Sequence, residues 1–317
     1  MARQNRERSG ASPGRGFAGQ ENAAVDGADE STFAFTAEYA LEIEWQADRN
    51  SYRATGYLTA RDGGVCILVV VRCSDYLLVD ISNSYAKLAF ASRERVSTPA
   101  RIPTAEFSKS VFAEFLSRRQ VRKIVVSSVV PTKNAAISKA AHNKAPVLWL
   151  DWKRNLGITI DYAKPESIGA DRLANAAAAA ELYGCPAIVV DFGTAATFDV
   201  VSERREYIGG VIAPGLEAMT NFLYERTALL PRLSLKNPHR VVGRSTVEAM
   251  RSGAVFGYSG LVREILVRIK AEHFPRKKVV VVSTGGYARL IARQVPEVAT
   301  VHPNLTLEGL RIVANLN

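Results

Sequence analysis

Two segments of the chain share a short apolar run that ends in an aspartate and a turn of small residues. The first is LLVDISNS, from Leu77 to Ser84, and the second is IVVDFGTA, from Ile188 to Ala195. The backbone N–H groups and hydroxyl or amide side chains of such a turn can donate to phosphate oxygens, and its carboxylate can hold a cation that offsets phosphate charge. Alone, each turn is equally compatible with an ordinary β-turn. Because Asp80 and Asp191 lie 111 positions apart, the pair predicts two similar halves facing each other across a nucleotide cleft.

A second source of chemistry is the sequence GADR, which opens an Ala-rich helix and contains Asp171 and Arg172. An aspartate near a helix N-terminus often serves only the helix dipole. Beside Arg172, however, it can also accept a proton from a substrate hydroxyl while the guanidinium holds a substrate carboxylate.

Two glycine-rich runs are equally ambiguous. The run Ser283–Gly286 either lets a planar ligand approach the backbone closely or simply links a strand to a helix. The run Tyr207–Leu216 is expected to be a turn, punctuated by glycine and proline, that leads into a helix. Neither run identifies a site by itself.

The elements that must position these residues alternate between strands and helices from Tyr76 onward, which is typical of an α/β fold. Strands are predicted at Tyr76–Ile81, Lys123–Val129, Val147–Leu150, Ala187–Asp191, Thr197–Val201 and Lys278–Val282. Helices are predicted at Thr104–Arg119, Lys133–His142, Ala170–Tyr183, Gly215–Thr227, Thr246–His273 and Tyr287–Gln294. The Ala-rich helix has the clearest signal, because it consists of strong helix formers and stops at Gly184.

The first 75 residues do not follow this pattern. Residues 1–30 are rich in small and charged residues without hydrophobic periodicity, which predicts a disordered tail. Residues 31–75 alternate aromatic and β-branched residues with others, which predicts a few short strands in an N-terminal extension of unknown role. The remainder is expected to divide into a first half, 76–185, and a second half, 186–317.

Composition excludes several classes of protein. With 47% hydrophobic and 23% charged residues among 317, the chain has ample apolar material for a core and is not wholly disordered. Its apolar runs are far shorter than the ~20 residues of a membrane span. Its three cysteines are too few for a disulfide framework or a zinc site. The basic N-terminus lacks the apolar segment of a secretory signal, so we expect a cytoplasmic protein that does not bind membranes.

The net charge is +10 at pH 7, a sign that suits nucleic acids or anionic small molecules. Residues 1–75 carry 8 basic and 11 acidic side chains, whereas residues 76–317 carry 33 basic and 20 acidic ones. The basic residues of the larger segment are scattered in short clusters and form no concentrated stripe. We therefore expect small anionic substrates and no nucleic-acid partner, with most of these charges on solvated faces.

Taken in order, the motifs resemble those of type III pantothenate kinases, a family of the actin-like ATPase superfamily. The matching pieces are DISNS, SSVVP, YAKPESIGADR, DFGTAATFD, YIGGVIAPGL, GRSTVEAMRSG and TGG. They extend from about Tyr76 to the end of the sequence, and IGADR followed by DFGTAATFD is the most specific part. The resemblance implies an α/β fold of two ribonuclease-H-like halves around a nucleotide cleft. It also implies ATP-dependent phosphorylation of pantothenate to 4′-phosphopantothenate, the first step of coenzyme A biosynthesis.

The resemblance further implies roles for individual residues. Asp171 matches the family's catalytic base, which accepts the proton of the pantothenate hydroxyl. The pantothenate site would comprise Tyr162, Gly169, Ala170, Asp171, Arg172 and Thr246, the last supplied across the interface of a homodimer. ATP would be bound by Asp80, Ile81, Ser82, Asn83, Ser84, Tyr85, Ala86, Lys87 and Thr194. Of these, Asp80, Asn83 and Ser84 would contact the ATP phosphates and the magnesium ion. Asp191 matches the ligand of a monovalent cation, potassium or ammonium.

One position departs from the family pattern, because Ser82 stands where the first phosphate turn usually has glycine. Its Cβ is expected to restrict a positive φ and crowd a phosphate, or its hydroxyl to add a donor.

Two alternatives to a pantothenate kinase stay open. One is a non-catalytic regulator, a transcription accessory protein with the same fold, although Asp171 and Arg172 are both present. The other is a kinase of this superfamily for another small hydroxyl compound, against which Tyr162 and the GADR motif argue.

Overall fold

The computed structural model describes the backbone of residues 39–48, 51–60, 67–298 and 300–317, and side chains from Ser74 onward apart from residue 299. The predicted tail, residues 1–30, lies outside the described residues. The described chain forms two β-sheets with helices between and outside them, which confirms the predicted α/β class.

The first sheet has β3 at its centre. Its seven strands are β1 Tyr39–Asp48, β2 Ser51–Ala60, β3 Ile67–Ile81, β4 Tyr85–Ala91, β5 Ala100–Pro103, β6 Gln120–Ser128 and β7 Val147–Trp149. Strands β4 and β5 add to β3 in antiparallel order, and β6 and β7 add in parallel order on its other edge. Strands β1 and β2 form an antiparallel hairpin that pairs with the first part of β3. The short strands predicted within 31–75 are therefore present.

The second sheet repeats this arrangement around β9. Its six strands are β8 Thr159–Ile160, β9 Ala187–Phe192, β10 Ala195–Val201, β11 Glu206–Pro214, β12 Val280–Thr284 and β13 Thr300–Val301. Strands β10 and β11 add to β9 in antiparallel order, and β8 pairs with β11 in parallel. On the other edge of β9, β12 and β13 add in parallel. Asp80 and Asp191 both lie near the end of the central strand of their sheet. The shared topology confirms the two similar halves predicted from those aspartates.

Eight α-helices connect and cover the sheets in the described part of the chain. They are α1 Lys109–Ser117, α2 Pro131–Ala141, α3 Ala170–Leu182, α4 Leu216–Arg226, α5 Thr246–Ser252, α6 Tyr258–His273, α7 Ala288–Ala292 and α8 Leu305–Leu316. A π-helical turn, Gly253–Gly257, joins α5 to α6 without a gap, so the helix predicted over Thr246–His273 is present, with one π-helical turn inside it. Among these described helices, none combines the length and apolarity needed to cross a membrane.

Helices α3 and α8 lie between the two sheets, and their small or apolar side chains share one core with both. Alternation along β3 directs Leu77 and Val79 toward α1 and α2, and Leu78 toward α3. Asp80 follows Leu78 by two residues, so its side chain lies on the same face of the sheet, where α3 begins. The same alternation along β9 places Val189, and with it Asp191, on the α3 side. The pleat of each central strand thus brings one aspartate to the helix that carries Asp171.

The predicted turn over Tyr207–Leu216 is wrong, because most of this run is strand β11. The strand is paired on one edge by β10 and at its start by β8, and this pairing outweighs the preference of its glycines and proline for turns. The helix predicted from Thr104 begins later, at Lys109, where the Ser108 hydroxyl accepts from the Val111 N–H at 3.3 Å.

Helix α8 was not predicted, and it bears on the proposed division at residue 185. By sequence it belongs to the second half, yet its residues share a core with Leu78 and Val125 of the first sheet. The Tyr76 hydroxyl also donates to Asn315 Oδ1 at 2.8 Å. The boundaries 76–185 and 186–317 therefore remain a proposal, since α8 closes both halves at once.

Candidate active site

The two sheets and the start of α3 surround a cleft of about 590 Å³. The predicted site residues that line it are Asp80, Ser82, Asn83, Ser84, Tyr85, Lys87, Asp171, Asp191 and Thr194. Gly285 and Gly286 of the glycine-rich turn also line it. The fold therefore joins both aspartate turns, the start of the GADR helix and the glycine pair in one cavity.

Asp80 is buried at the end of β3, with 4% of its surface exposed. Strand register places Lys87 of β4 opposite it on one side and Ser127 of β6 on the other. Burial raises the pKa of Asp80 to about 7; the Lys87 charge opposes this rise, and the Asp171 and Asp191 carboxylates add to it. Its Oδ1 has no hydrogen-bond partner among the described residues. A buried, unpartnered carboxylate oxygen of this kind suits a hard cation such as magnesium.

Asp191 occupies the equivalent position in the second sheet, but its carboxylate is held by the protein. The Asn175 amide of α3 donates to Asp191 Oδ2 at 3.1 Å, and the Thr306 hydroxyl of α8 donates to Asn175 Oδ1 at 2.9 Å. Burial raises the pKa of Asp191; Lys87 opposes the rise and Asp171 adds to it. No described residue donates to its other oxygen, Oδ1, so that one oxygen remains for a cation.

Asp171 lies in the first turn of α3, where its Oδ1 accepts a hydrogen bond from the Arg172 N–H at 2.8 Å. Gly169 caps the helix, and a Cβ on Gly169 would come within 2.6 Å of that oxygen. Burial raises the pKa of Asp171, while the N–H and the charge of Arg172 oppose the rise. A carboxylate with a raised pKa is a better proton acceptor near neutral pH.

The two aspartate turns meet across the cleft. Ser84 Oγ and Thr194 Oγ1, from opposite halves, lie 2.9 Å apart and share a hydrogen bond. Ser82 uses its hydroxyl inside the first turn, donating to the Tyr85 carbonyl at 2.9 Å. Its φ is not positive, so the expected restriction of a positive φ does not arise. The exposed Ser84 and Thr194 hydroxyls are therefore the donors that the two turns present to a shared ligand.

A second cluster lies beside Asp171, on β10 and β11. The Arg172 Nε donates to Asp199 Oδ1 at 2.7 Å, and the Tyr207 hydroxyl donates to the same oxygen at 2.9 Å. Burial raises the pKa of Asp199 to about 6, against the opposing Arg172 charge and Tyr207 hydrogen bond. Tyr162 packs edge-on to the Tyr207 ring at 6.0 Å between centroids. The predicted residues Tyr162 and Arg172 are thus joined by two side chains to which no role was assigned.

Some predicted site residues are placed elsewhere. Ile81 and Ala86 are completely buried in the core beneath α1 and α2, so their side chains do not face the cleft. Gly169 and Ala170 lie beside Asp171 in the first turn of α3. Thr246 begins α5, is exposed, and is not among the residues that line the cleft in the described part of the chain.

The sequence analysis missed several residues of the site. Asp199 carried a signal, because an aspartate within the apolar run TFDVV must find a partner once the strand is buried. Asn175 gave none, since a single amide in an Ala-rich helix has many explanations. Arg101 and Glu217 line the cleft but have no local motif, because the packing of β5 and α4 alone brings them there.

An apolar face lies on the side of α4 away from the cleft. It surrounds a groove of about 560 Å³ between α4, α5 and the π-helical turn. Several large hydrophobic side chains of this region are exposed: Ile212, Met219, Phe222, Leu223, Val241 and Val242. A patch of this kind is rare on a monomer and typical of an interaction surface.

Comparison with known proteins identifies relatives across this whole region. The family model described as type III pantothenate kinase matches residues 76–268. A type III pantothenate kinase of Akkermansia muciniphila is 49% identical over 246 residues, which cover 76% of this chain and 99% of that protein. One from Methylacidiphilum infernorum is 42% identical over 240 residues, covering 76% of this chain and 88% of that protein.

Solved structures of lower similarity also overlap with the chain. The ROK hexokinase of Thermus thermophilus is 12% identical, with a TM-score of 0.42, and the match covers 75% of this chain and 97% of that one. A Baf family protein of Campylobacter jejuni is 19% identical, with a TM-score of 0.48 and coverage of 75% and 97%. No functional conclusion rests on these two structures.

Proposed function

Because this chain belongs to the type III pantothenate kinase family, we propose that its cleft holds ATP against pantothenate for direct phosphoryl transfer. The chain phosphorylates pantothenate with ATP, the first step of coenzyme A biosynthesis. The alternative of a non-catalytic regulator has no support among the named relatives. One observation carries the assignment of the site: the turns of Asp80 and Asp191 and the base candidate Asp171 line a single cavity.

Asp171 is the proposed catalytic base. Its carboxylate accepts the proton of the pantothenate hydroxyl as that oxygen attacks the γ-phosphorus of ATP, and the bond from phosphorus to the bridging oxygen of ADP breaks. The raised pKa of Asp171 suits this role, provided the carboxyl is ionised when the substrates bind. Positioning and charge stabilisation carry most of the rate, since phosphoryl transfer needs little covalent chemistry from the protein.

The ATP phosphates are proposed to lie between the two turns. Lys87 supplies positive charge, and the exposed hydroxyls of Ser84 and Thr194 exchange their mutual hydrogen bond for bonds to phosphate oxygens. Asn83 and Tyr85 line the same wall. Asp80 is the proposed magnesium-binding residue, because its buried Oδ1 lacks a partner in the described chain. Magnesium, when bound, supplies charge that offsets the phosphate oxygens.

Asp191 is the proposed ligand of a monovalent cation, potassium or ammonium. Its Oδ2 is occupied by Asn175, which leaves Oδ1 toward the cleft. The donor set is hard oxygen, as an alkali cation requires. The cation, when bound, adds positive charge near the phosphates.

Pantothenate is proposed to lie along the first turn of α3 and the faces of β10 and β11. Gly169 and Ala170 allow close approach to the backbone, and the half-exposed Tyr162 covers the chain of the substrate. Arg172, 11% exposed at its side chain, is proposed to bind the pantothenate carboxylate through its terminal nitrogens.

The decisive assay measures ATP-dependent conversion of pantothenate by the purified chain, with product mass determined by mass spectrometry and potassium varied. We expect 4′-phosphopantothenate and ADP in equal amounts, with rates that rise with potassium. For a variant of Asp80 in this assay, the matched control is Asp75→Asn, because Asp75 is buried on the same strand but lies outside the cleft. Absence of product from the unaltered chain would refute the proposal.

We also propose a homodimer built on the apolar face of α4. Exposed side chains such as Phe222 and Val242 need a partner surface, and the face is continuous with α5, where Thr246 begins the helix. A second copy of the chain would bury the face and bring Thr246 to the neighbouring pantothenate site. Phe222→Asp should produce a monomer in sedimentation analysis. A persistent dimer in that variant would place the interface elsewhere.

The cellular setting follows from the substrates. The reaction is proposed to take place in the cytoplasm, where ATP is available, with no nucleic acid or membrane as partner. The dispersed basic residues of 76–317 support this assignment, because they form no stripe that a duplex could follow. A filter-binding assay at low salt should show no specific retention of DNA.

A further inference from the structure

Asp199 is the most completely buried carboxylate near the cleft, with no exposed surface. It accepts three hydrogen bonds from side chains: Arg172 Nε at 2.7 Å, the Tyr207 hydroxyl at 2.9 Å and the Thr197 hydroxyl at 3.3 Å. Its own surface does not reach the cleft, whereas Thr197 and the neighbouring Asp171 line it. Asp199 therefore acts on the site only through the groups that it holds.

The Arg172 guanidinium is held at its Nε edge by Asp199. Its Nε–H points to Asp199, and among the described residues this is its only side-chain hydrogen bond. The guanidinium carbon lies 5.8 Å from the centre of the Tyr207 ring, and a Cβ on Gly210 would come within 2.9 Å of Nη2. The glycine of β11 thus leaves room for the guanidinium to lie along the sheet. No residue of the described chain accepts a hydrogen bond from the two terminal nitrogens, which are therefore available to a ligand.

We propose that Asp199, supported by Tyr207, is a positioning residue that fixes Arg172 with its terminal nitrogens toward the acceptor's carboxylate, and so sets the preference for acceptors that carry one. This inference rests on the proposed function, because it takes pantothenate as the acceptor. It adds a specificity role to two residues of β10 and β11 that do not touch substrate.

The physical reason is the freedom of an arginine side chain. An unrestrained Arg samples many rotamers, and ordering it for a ligand costs conformational entropy. The fixed contact at Nε removes that freedom before substrate arrives and leaves the bidentate edge available for a carboxylate. An asparagine at 199 would preserve size but lose the charge, so the half-buried guanidinium would lose its counterion.

The experiment compares Asp199→Asn and Tyr207→Phe with the unaltered enzyme on two acceptors. One is pantothenate, and the other is pantothenamide, in which a neutral amide replaces the carboxylate. We expect Asp199→Asn to raise KM for pantothenate roughly 10- to 100-fold, the size of one hydrogen bond to a charged group, with kcat and the KM for ATP little changed. KM for pantothenamide should stay near its value in the unaltered enzyme. The preference for pantothenate over pantothenamide should therefore be largely lost. Tyr207→Phe should shift the preference in the same direction by less.

The matched control is Glu308→Gln. The Arg311–Glu308 pair has the same 2.7 Å Nε contact and an arginine of equal exposure, 11%, but its carboxylate is 18% exposed and it lies on α8 outside the cleft. Its loss should remove an arginine–carboxylate contact without altering the acceptor preference. If Asp199→Asn does not fold, the test relies on Tyr207→Phe, because this variant removes one hydrogen bond to Asp199 and leaves the Arg172–Asp199 ion pair.

Three outcomes would overturn the inference. An equal rise in KM for both acceptors would show that Arg172 binds a part they share. An unchanged preference in a folded Asp199→Asn or Tyr207→Phe would show that Asp199 does not orient the guanidinium. A change of the same size in Glu308→Gln would assign the effect to stability. An unaltered enzyme without pantothenate kinase activity would instead refute the proposed function, and is recognised before any variant is made.

Discussion

Asp80 and Asp191 have the same place in two sheets of the same topology but different neighbours. In the first sheet the flanking strands put Lys87 and Ser127 beside the aspartate. In the second they put Thr197 and Thr284 there. Asp80 Oδ1 lacks a partner within the described chain, whereas Asp191 is tied to Asn175 and, through it, to Thr306.

Under the proposed assignment, the two halves use the same strand arrangement for two different tasks. The first half keeps a lysine and an unsatisfied carboxylate oxygen, which suit a changing set of phosphates and ions. The second half fixes its aspartate in a network that reaches α3 and α8, which suits one stationary ion. The base candidate Asp171 belongs to neither repeat, since it begins the helix that lies between them.

The largest effect should come from the residue outside the repeat. Asp171→Asn removes the proton acceptor, so kcat should fall by ~10²–10⁴-fold while both KM values change little. Steady-state kinetics with pantothenate and ATP measure this, and a thermal melt checks the fold. Comparable kcat values for Asp171→Asn and the unaltered enzyme would exclude Asp171 from the base role.

Lys87→Thr makes the first sheet resemble the second at the position beside the aspartate. The loss of a charged phosphate contact should lower kcat/KM for ATP by about 10- to 100-fold. The KM for pantothenate should change far less. A reduction in kcat/KM confined to pantothenate would move Lys87 from the phosphate site to the acceptor site.

The buried Asp80 predicts a dependence of folding stability on pH in the absence of nucleotide. The pKa of Asp80 is raised from 3.8 to about 7 by burial. Between these values the folded state keeps a proton that the unfolded state has released, so stability falls as pH rises through this window. Asp80→Asn removes this dependence, and its melting temperature should fall less than that of the unaltered protein between pH 4.5 and 7.

The second aspartate provides the contrast in the same melts. Asp191→Asn should lower the melting temperature, because the exchange disturbs the hydrogen bond from Asn175, and it should also weaken the pH dependence, because burial raises the pKa of Asp191 as well. It should also abolish activation by potassium, which Asp80→Asn should retain. Identical behaviour of the two variants would contradict the assignment of separate tasks.

The smallest effect is expected where the halves meet. Ser84→Ala removes one hydroxyl of the Ser84–Thr194 pair, and KM for ATP should rise about 2- to 10-fold, the value of one neutral hydrogen bond. Thr194→Ala should behave alike if both turns hold the phosphates equally. Unequal changes would show which half contributes more, and no change in either would remove the hydroxyls from the phosphate site.

The repeat, and with it the cleft, was predictable because each aspartate ends an apolar run and so has a local signature. The strand β11 was not, since its pairing with β10 and β8 overrides the local preference of YIGGVIAPGL. The contact between Asp199 and Tyr207 could not be predicted either, because it also depends on strand pairing. Their meeting depends on the antiparallel register of β10 with β11, which spacing does not reveal.

The hydrogen bond between Asn175 and Thr306 spans 131 positions of the chain. At the ~5–20 residues per second of protein synthesis, about 7 to 26 s separate the two residues on the ribosome. During that interval both aspartates have been made, but α8 has not, so the Ala-rich face of α3 and the inner faces of both sheets have no cover. We therefore expect the nascent chain to expose these apolar faces, and to lack the Thr306 contact that supports Asn175 and Asp191, until α8 has emerged.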